Sequence, residues 1–121
     1  MKRDMDLIRT ILFAIEADGA AWDPEQLVVD GRSSAEVGYH VLLAVEGGLV
    51  VGQDVTGLSG SPEAIASRLT WAGHDFLDAA RDESRWKEVR QTVAQTAGSA
   101  TFQVIVNMLT GLLNRQLGIS P

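Results

Sequence analysis

Apolar side chains recur at helical spacing in several stretches of this chain, and the intervals between them carry the residues that stop helices. Met5, Ile8, Ile11, Leu12 and Ile15 share one face behind Asp4, a suitable N-cap, and Asp18-Gly19 supplies a stop. Ser33 with Glu36 three residues on forms a capping box ahead of Val37, Val41, Leu42 and Val45, and Gly47-Gly48 closes this second helix. Between the two helices, Asp23-Pro24 breaks the pattern after Trp22. The short apolar run Leu27-Val28-Val29 before Asp30-Gly31 reads as a brief strand and a turn, expected to pair with a later hairpin.

That hairpin is predicted next. Leu49-Val50-Val51 reads as one strand, Thr56 to Pro62 as a Gly- and Ser-rich tip, and Ala64 to Leu69 as the returning strand, which together make a wing-like unit. Thr70 is a suitable cap for a third helix in which Gly73, Phe76, Leu77 and Ala80 fall on one face, with Gly73 allowing close approach to the sheet. Trp86, Val89 and Val93 predict a fourth helix ending near Gly98. A fifth runs from about Thr101 to Leu117, its stripe formed by Phe102, Ile105, Val106, Leu109, Leu112 and Leu113.

Several of these stretches resemble a domain-of-unknown-function family of bacteria and their phages. They are the opening Met1-Lys2-Arg3-Asp4-Met5-Asp6-Leu7-Ile8-Arg9, the run Tyr39-His40-Val41-Leu42-Leu43 on to Gly48-Leu49-Val50, and Leu69 to Asp82 followed by Trp86. The resemblance spans nearly the whole chain and includes the segment Leu69-Thr70-Trp71-Ala72-Gly73-His74-Asp75-Phe76-Leu77. It implies a winged-helix-like core and no assigned activity. The expected fold is therefore α+β: a winged-helix-like core with a small antiparallel wing sheet over residues 1–83, and two C-terminal helices over 84–121 packed on it as a single domain.

Composition narrows the function classes. A chain of 121 residues with 45% hydrophobic and 21% charged residues fits one domain with its own core. The absence of cysteine removes disulfides, thiolate zinc sites and cysteine nucleophiles together. Asp4 and Asp6 interrupt any signal-peptide pattern after Lys2-Arg3, so a cytoplasmic location is expected. A formal net charge of -6 argues against general affinity for phosphate backbones. Placement sharpens this: from Asp30 to Ser67 the single cation is Arg32, against Asp30, Glu36, Glu46, Asp54 and Glu63. A helix and wing without Lys or Arg lack the groups that contact phosphates and guanines.

Candidate chemistry is sparse, and no constellation requires a cofactor or a metal. His40 and His74 are the two histidines; neighbours on a helix diverge, so His74 and Asp75 do not face each other, and no His-x-x-x-His spacing occurs. Both are expected to form surface pairs with carboxylates one turn away, His40 with Glu36 and His74 with Asp78. Trp86 reads as core and Trp71 as partly exposed. Arg81, Arg85, Lys87 and Arg90 read as a solvated, salt-bridged face among Asp82, Glu83 and Glu88.

The run from Gln91 to Asn114 carries no charge, yet its apolar part is short and broken by Asn107 and Thr110, too little for a membrane span. The last helix is expected to pack on the core through its stripe and on a second copy through its neutral face. The residues involved are Phe102, Gln103, Val106, Asn107, Leu109, Thr110, Leu113 and Asn114. The leading expectation is a non-catalytic module binding another protein through a surface including Glu36, Tyr39, His40, Asp54 and Trp71. The alternative is a dimeric DNA-binding transcriptional regulator that uses Lys2, Arg3, Arg9, Arg32 and Arg68 from its periphery.

Overall fold

The computed structural model describes residues 2–18, 29–95 and 101–118. The elements in chain order are α1 (Met5–Asp18), α2 (Ser34–Glu46), β1 (Val50–Asp54), the single turn α3 (Thr56–Ser59), β2 (Ala64–Leu69), α4 (Trp71–Ala80), α5 (Glu83–Gln95) and α6 (Phe102–Gln116). The fold is α+β, with a two-stranded antiparallel sheet among the described residues. The strand expected at Leu27-Val28-Val29 and the stop expected at Gly98 lie largely or wholly outside the described residues. Two compact units, residues 1–74 and 75–121, divide the chain within α4.

In the first unit the caps form where the sequence puts them. Asp4 Oδ1 accepts the Asp6 N–H at 2.9 Å and the Leu7 N–H at 3.3 Å. The Ser33 hydroxyl and the Glu36 carboxylate make the reciprocal capping box of α2. Helix α2 ends in a Schellman turn: Gly48, at φ 76°, donates to Val45 O and Leu49 donates to Ala44 O. The positive φ explains why glycine stands there. Leu7, Ile8, Ile11, Leu12 and Ile15 of α1 are buried, as are Val37, Val41, Leu42 and Ala44 of α2, and the inward faces of the strands add Val50, Ala64, Ala66 and Leu69 to the core.

Pairing of β1 with β2 runs from Val50↔Leu69 to Asp54↔Ala64, with a bulge between Val51 and Gly52 that leaves Ser67 unpaired. A Cβ on Gly52 would stand 2.9 Å from a methyl of Val45, so glycine lets α2 lie close on the hairpin. The expected loop tip contains α3, a single turn closed by Gly60 at φ 81°.

The hairpin passes into α4 through a junction built on one carbonyl. Leu49 O accepts the Thr70 N–H at 2.9 Å, while the Thr70 hydroxyl donates to Gly48 O and accepts the Gly73 N–H at 3.0 Å. Thr70 thus caps α4 and ties it to the end of α2 in one step. The expected close approach at Gly73 is present and tight: a Cβ there would stand 3.0 Å from the Leu49 carbonyl carbon and nearer still to its oxygen.

In the second unit Phe76, Leu77, Ala79, Ala80, Trp86, Val89, Ile105 and Leu109 are buried. Phe76 meets Trp86 edge-on at 6.1 Å and Phe102 at 5.3 Å between ring centres. Thr101 caps α6 by accepting the Val104 N–H. Arg85 departs from the solvated basic face expected of it. It is buried, with Nε donating to Ala79 O at 3.0 Å and the guanidinium also reaching Asp78 O and the Gln116 side chain. Carbonyls at the end of α4 lack helical partners, and a cation placed there satisfies them.

Candidate functional site

The first polar constellation joins the starts of α1 and α2. Arg32 lies between Asp4 Oδ2, with which it makes a close ion pair, and Glu36 Oε2 at 3.3 Å. Burial pushes the Asp4 carboxyl up, but the Arg32 hydrogen bond, the Leu7 N–H, the Arg32 charge and the Asp6 N–H outweigh it and hold the group below its ordinary range. Arg32 is correspondingly raised, chiefly by its hydrogen bond to Asp4.

His40 completes this node and corrects the expected surface pair. It is 1% exposed, its Nε2 accepts the Asp4 N–H at 2.9 Å, and its Nδ1 stands 2.8 Å from Glu36 O, a carbonyl rather than the carboxylate. An acceptor at Nε2 and a donor at Nδ1 define one neutral tautomer with both nitrogens in use. The ring therefore joins two helix starts through both of its nitrogens. The sequence signal was the i, i+4 spacing to Glu36, which positions a backbone carbonyl as readily as a side chain. The pair expected between His74 and Asp78 is also displaced: His74 is exposed, and Asp78 takes Arg81 at 3.2 Å.

The second feature is apolar. Trp71, at the first turn of α4, is 84% exposed, as the occupied core face of that helix predicts. On either side of it the Thr70 N–H is bonded to Leu49 O and the Gly73 N–H to the Thr70 hydroxyl, so the large exposed indole stands on a fixed turn. Val51 and Ile65, each 38% exposed, lie on the solvent face of the hairpin. Alternation along the strands could have found both residues. Glu46 and Asp54 are exposed nearby in sequence, and Asp54 takes the Thr56 hydroxyl and N–H, which lower its pKa.

The remaining sequence candidates divide sharply. Of the surface set, Trp71 and Asp54 are exposed, Glu36 and Tyr39 are half-buried, and His40 is enclosed. Of the cations, Lys2, Arg3 and Arg68 are exposed. Arg9 is buried with its guanidinium 5.0 Å above the Phe13 ring, and Arg32 is held by two carboxylates. Along α6, Leu109 is fully buried within its own chain, Phe102, Val106, Leu113 and Asn114 are half-buried, and Gln103, Asn107 and Thr110 are exposed, with Gln103 bonded to Asn107 at 3.0 Å. Among the described residues no three His, Asp or Glu side chains converge as metal ligands, and no helix is long and apolar enough to cross a membrane.

The chain matches the family described as Hypothetical protein (DUF2513) over residues 2–100. It belongs to the DUF2513 family. Over 120 residues, 97% of this chain and 99% of the relative, it is 31% identical to an uncharacterized protein of Haemophilus influenzae strain Rd. No solved structure matches it. The family match contains the Asp4–Arg32–Glu36–His40 node and Trp71, whereas α6 lies beyond it.

Proposed function

We propose that this DUF2513 protein is a non-catalytic, winged-helix-like binding module that receives another protein on the surface around Trp71. The observation that carries this reading is the 84% exposed indole on a mount fixed at both Thr70 and Gly73. Exposed tryptophan is costly to leave in water, and when it docks in a partner's pocket it contributes disproportionately to affinity. Val51 and Ile65 extend the apolar surface of the same unit, and the exposed Glu46 and Asp54 favour a partner with basic groups around its pocket. The order helix, helix, hairpin, helix supports the winged-helix-like description.

The test compares the full chain with Trp71→Ala as baits in lysate of the organism that encodes them, with duplex DNA binding measured in parallel. The expected result is a discrete protein retained by the wild type and lost by the variant, whose thermal unfolding stays unchanged. Equal retention by both baits would refute the proposal. So would duplex binding that weakens steeply with salt and is lost in Arg68→Ala.

A further inference from the structure

Helix α6 carries two apolar stripes, and its own chain fully uses one of them. Ile105 and Leu109 are buried. Val104, Met108, Gly111 and Leu112 recur at a second helical spacing on another flank, where Val104 is 44% exposed and the other three are half-buried. Met108, Gly111 and Leu112 line a cleft of about 280 Å³ that α6 shares with Val89 and Thr92 of α5. A Cβ on Gly111 would meet nothing within 4 Å, so the cleft is open at its middle.

We propose that this cleft is where a second copy of the chain docks, α6 against α6 and antiparallel. In a two-fold pairing centred between Asn107 and Met108, Val104 of one protomer stands opposite Gly111 of its partner, and the relation repeats across the axis. The apolar knob and the open notch are thus supplied by the same stripe, seven residues apart on one helix. Charge selects the occupant. Two copies each carrying a net charge of -6 repel over most of their surface, but the run from Gln91 to Asn114 is free of charge. The charged groups lining the cleft, Glu88 and Arg115, cancel. A strongly charged partner gains nothing on this face, whereas an identical neutral face meets no repulsion.

Size sets the strength. A helix of 15 residues is about 22 Å long, and with α5 alongside it presents roughly 450 Å² per copy, below the standard interface. The dimer is therefore weak and concentration-dependent. This inference moves the expected self-contact from Val106, Thr110 and Leu113 to the opposite flank of α6, and it is independent of the Trp71 surface.

Sedimentation equilibrium of the full chain tests it, from low concentration up to about 100 µM, where a small interface populates. The expected result is a monomer–dimer equilibrium that tightens as salt rises, because screening relieves the repulsion. Val104→Glu and Met108→Glu weaken the association by roughly tenfold or more. Thr110→Glu adds the same charge to the other flank and leaves the association unchanged. A monomer throughout, a dimer that weakens with salt, or equal loss in Thr110→Glu would each overturn the proposal.

Discussion

Gly73→Ala places one methyl group against the Leu49 carbonyl, which already accepts the Thr70 N–H. The added Cβ would stand 3.0 Å from Leu49 C and 3.4 Å from Leu49 Cα, and closer to Leu49 O. Carbon atoms rest at about 3.5–4.0 Å, so α4 or the Leu49 turn must move by at least about half an ångström, and further to clear the oxygen. Neither side yields easily. Leu49 is buried, its N–H is fixed to Ala44 O, and its carbonyl accepts the Thr70 N–H. Overpacking of this kind costs about 1–3 kcal/mol, and weakening the Thr70 bond adds about 1 kcal/mol. Alanine's better helix propensity returns at most about 1 kcal/mol. The net loss is about 1–3 kcal/mol, which for a chain of this size lowers Tm by roughly 5–15 °C.

Thermal unfolding followed by circular dichroism measures it, with Gly111→Ala as the control at a concentration where monomer prevails. A Cβ at Gly111 meets open space, so that variant shows propensity alone and gains about 0.5–1 kcal/mol. If Gly73→Ala unfolds at or above the wild-type temperature, the close approach does not govern this junction. A control that falls as far as the variant would sink the argument equally.

The node at the starts of α1 and α2 gives two further outcomes. Asp4 is held below its unfolded pKa in the folded chain, so its stabilisation is full above that unfolded value and is lost as pH falls through the folded one. Urea midpoints should therefore decline below about pH 4, and the decline should be shallower in Arg32→Met, which removes the main lowering partner. Replacing His40 with Leu leaves the part-buried Asp4 N–H without its acceptor, and about 1–2 kcal/mol of stability should be lost in urea unfolding. A His40→Leu chain as stable as the wild type would show that the ring does not join the two helices.

Local chemistry made most of the elements legible. Asp4, Ser33, Thr70 and Thr101 each accept N–H groups at a helix start, and Gly48 ends α2, because caps depend on residues adjacent in sequence. Gly73 was legible for the same reason: a glycine on a core stripe implies a close neighbour. What could not be read was which distant group each polar side chain would find. The ring of His40 meets a backbone N–H thirty-six positions away, and Arg85 reaches Gln116 thirty-one positions away. Helical spacing to a carboxylate suggested a surface role for the first, and neighbouring acids suggested one for the second. On α6 the strongest stripe was visible, but only packing shows that Ile105 and Leu109 fill the interior while Met108 lines a cleft and Val104 is left exposed.

The same distinction gives the DNA-reading alternative a quantitative limit. Counting cations in the sequence supplies Lys2, Arg3, Arg9, Arg32 and Arg68, but a cation over an aromatic ring or between two carboxylates must break those interactions before it neutralises a phosphate. Arg9 over Phe13 and Arg32 between Asp4 and Glu36 are so held, leaving Lys2, Arg3 and Arg68 exposed. With those three contacts per copy, the slope of log affinity against log salt would be no steeper than about -2.7, so a fourfold rise in salt changes affinity by about 40-fold. All five cations would give about -4.5, or roughly 500-fold. Titrating a labelled duplex at several salt concentrations separates the two cases, with the slope taken per bound copy. A slope near the larger value would mean that Arg9 and Arg32 leave their partners on binding, and the charge argument for a protein partner would fall with it.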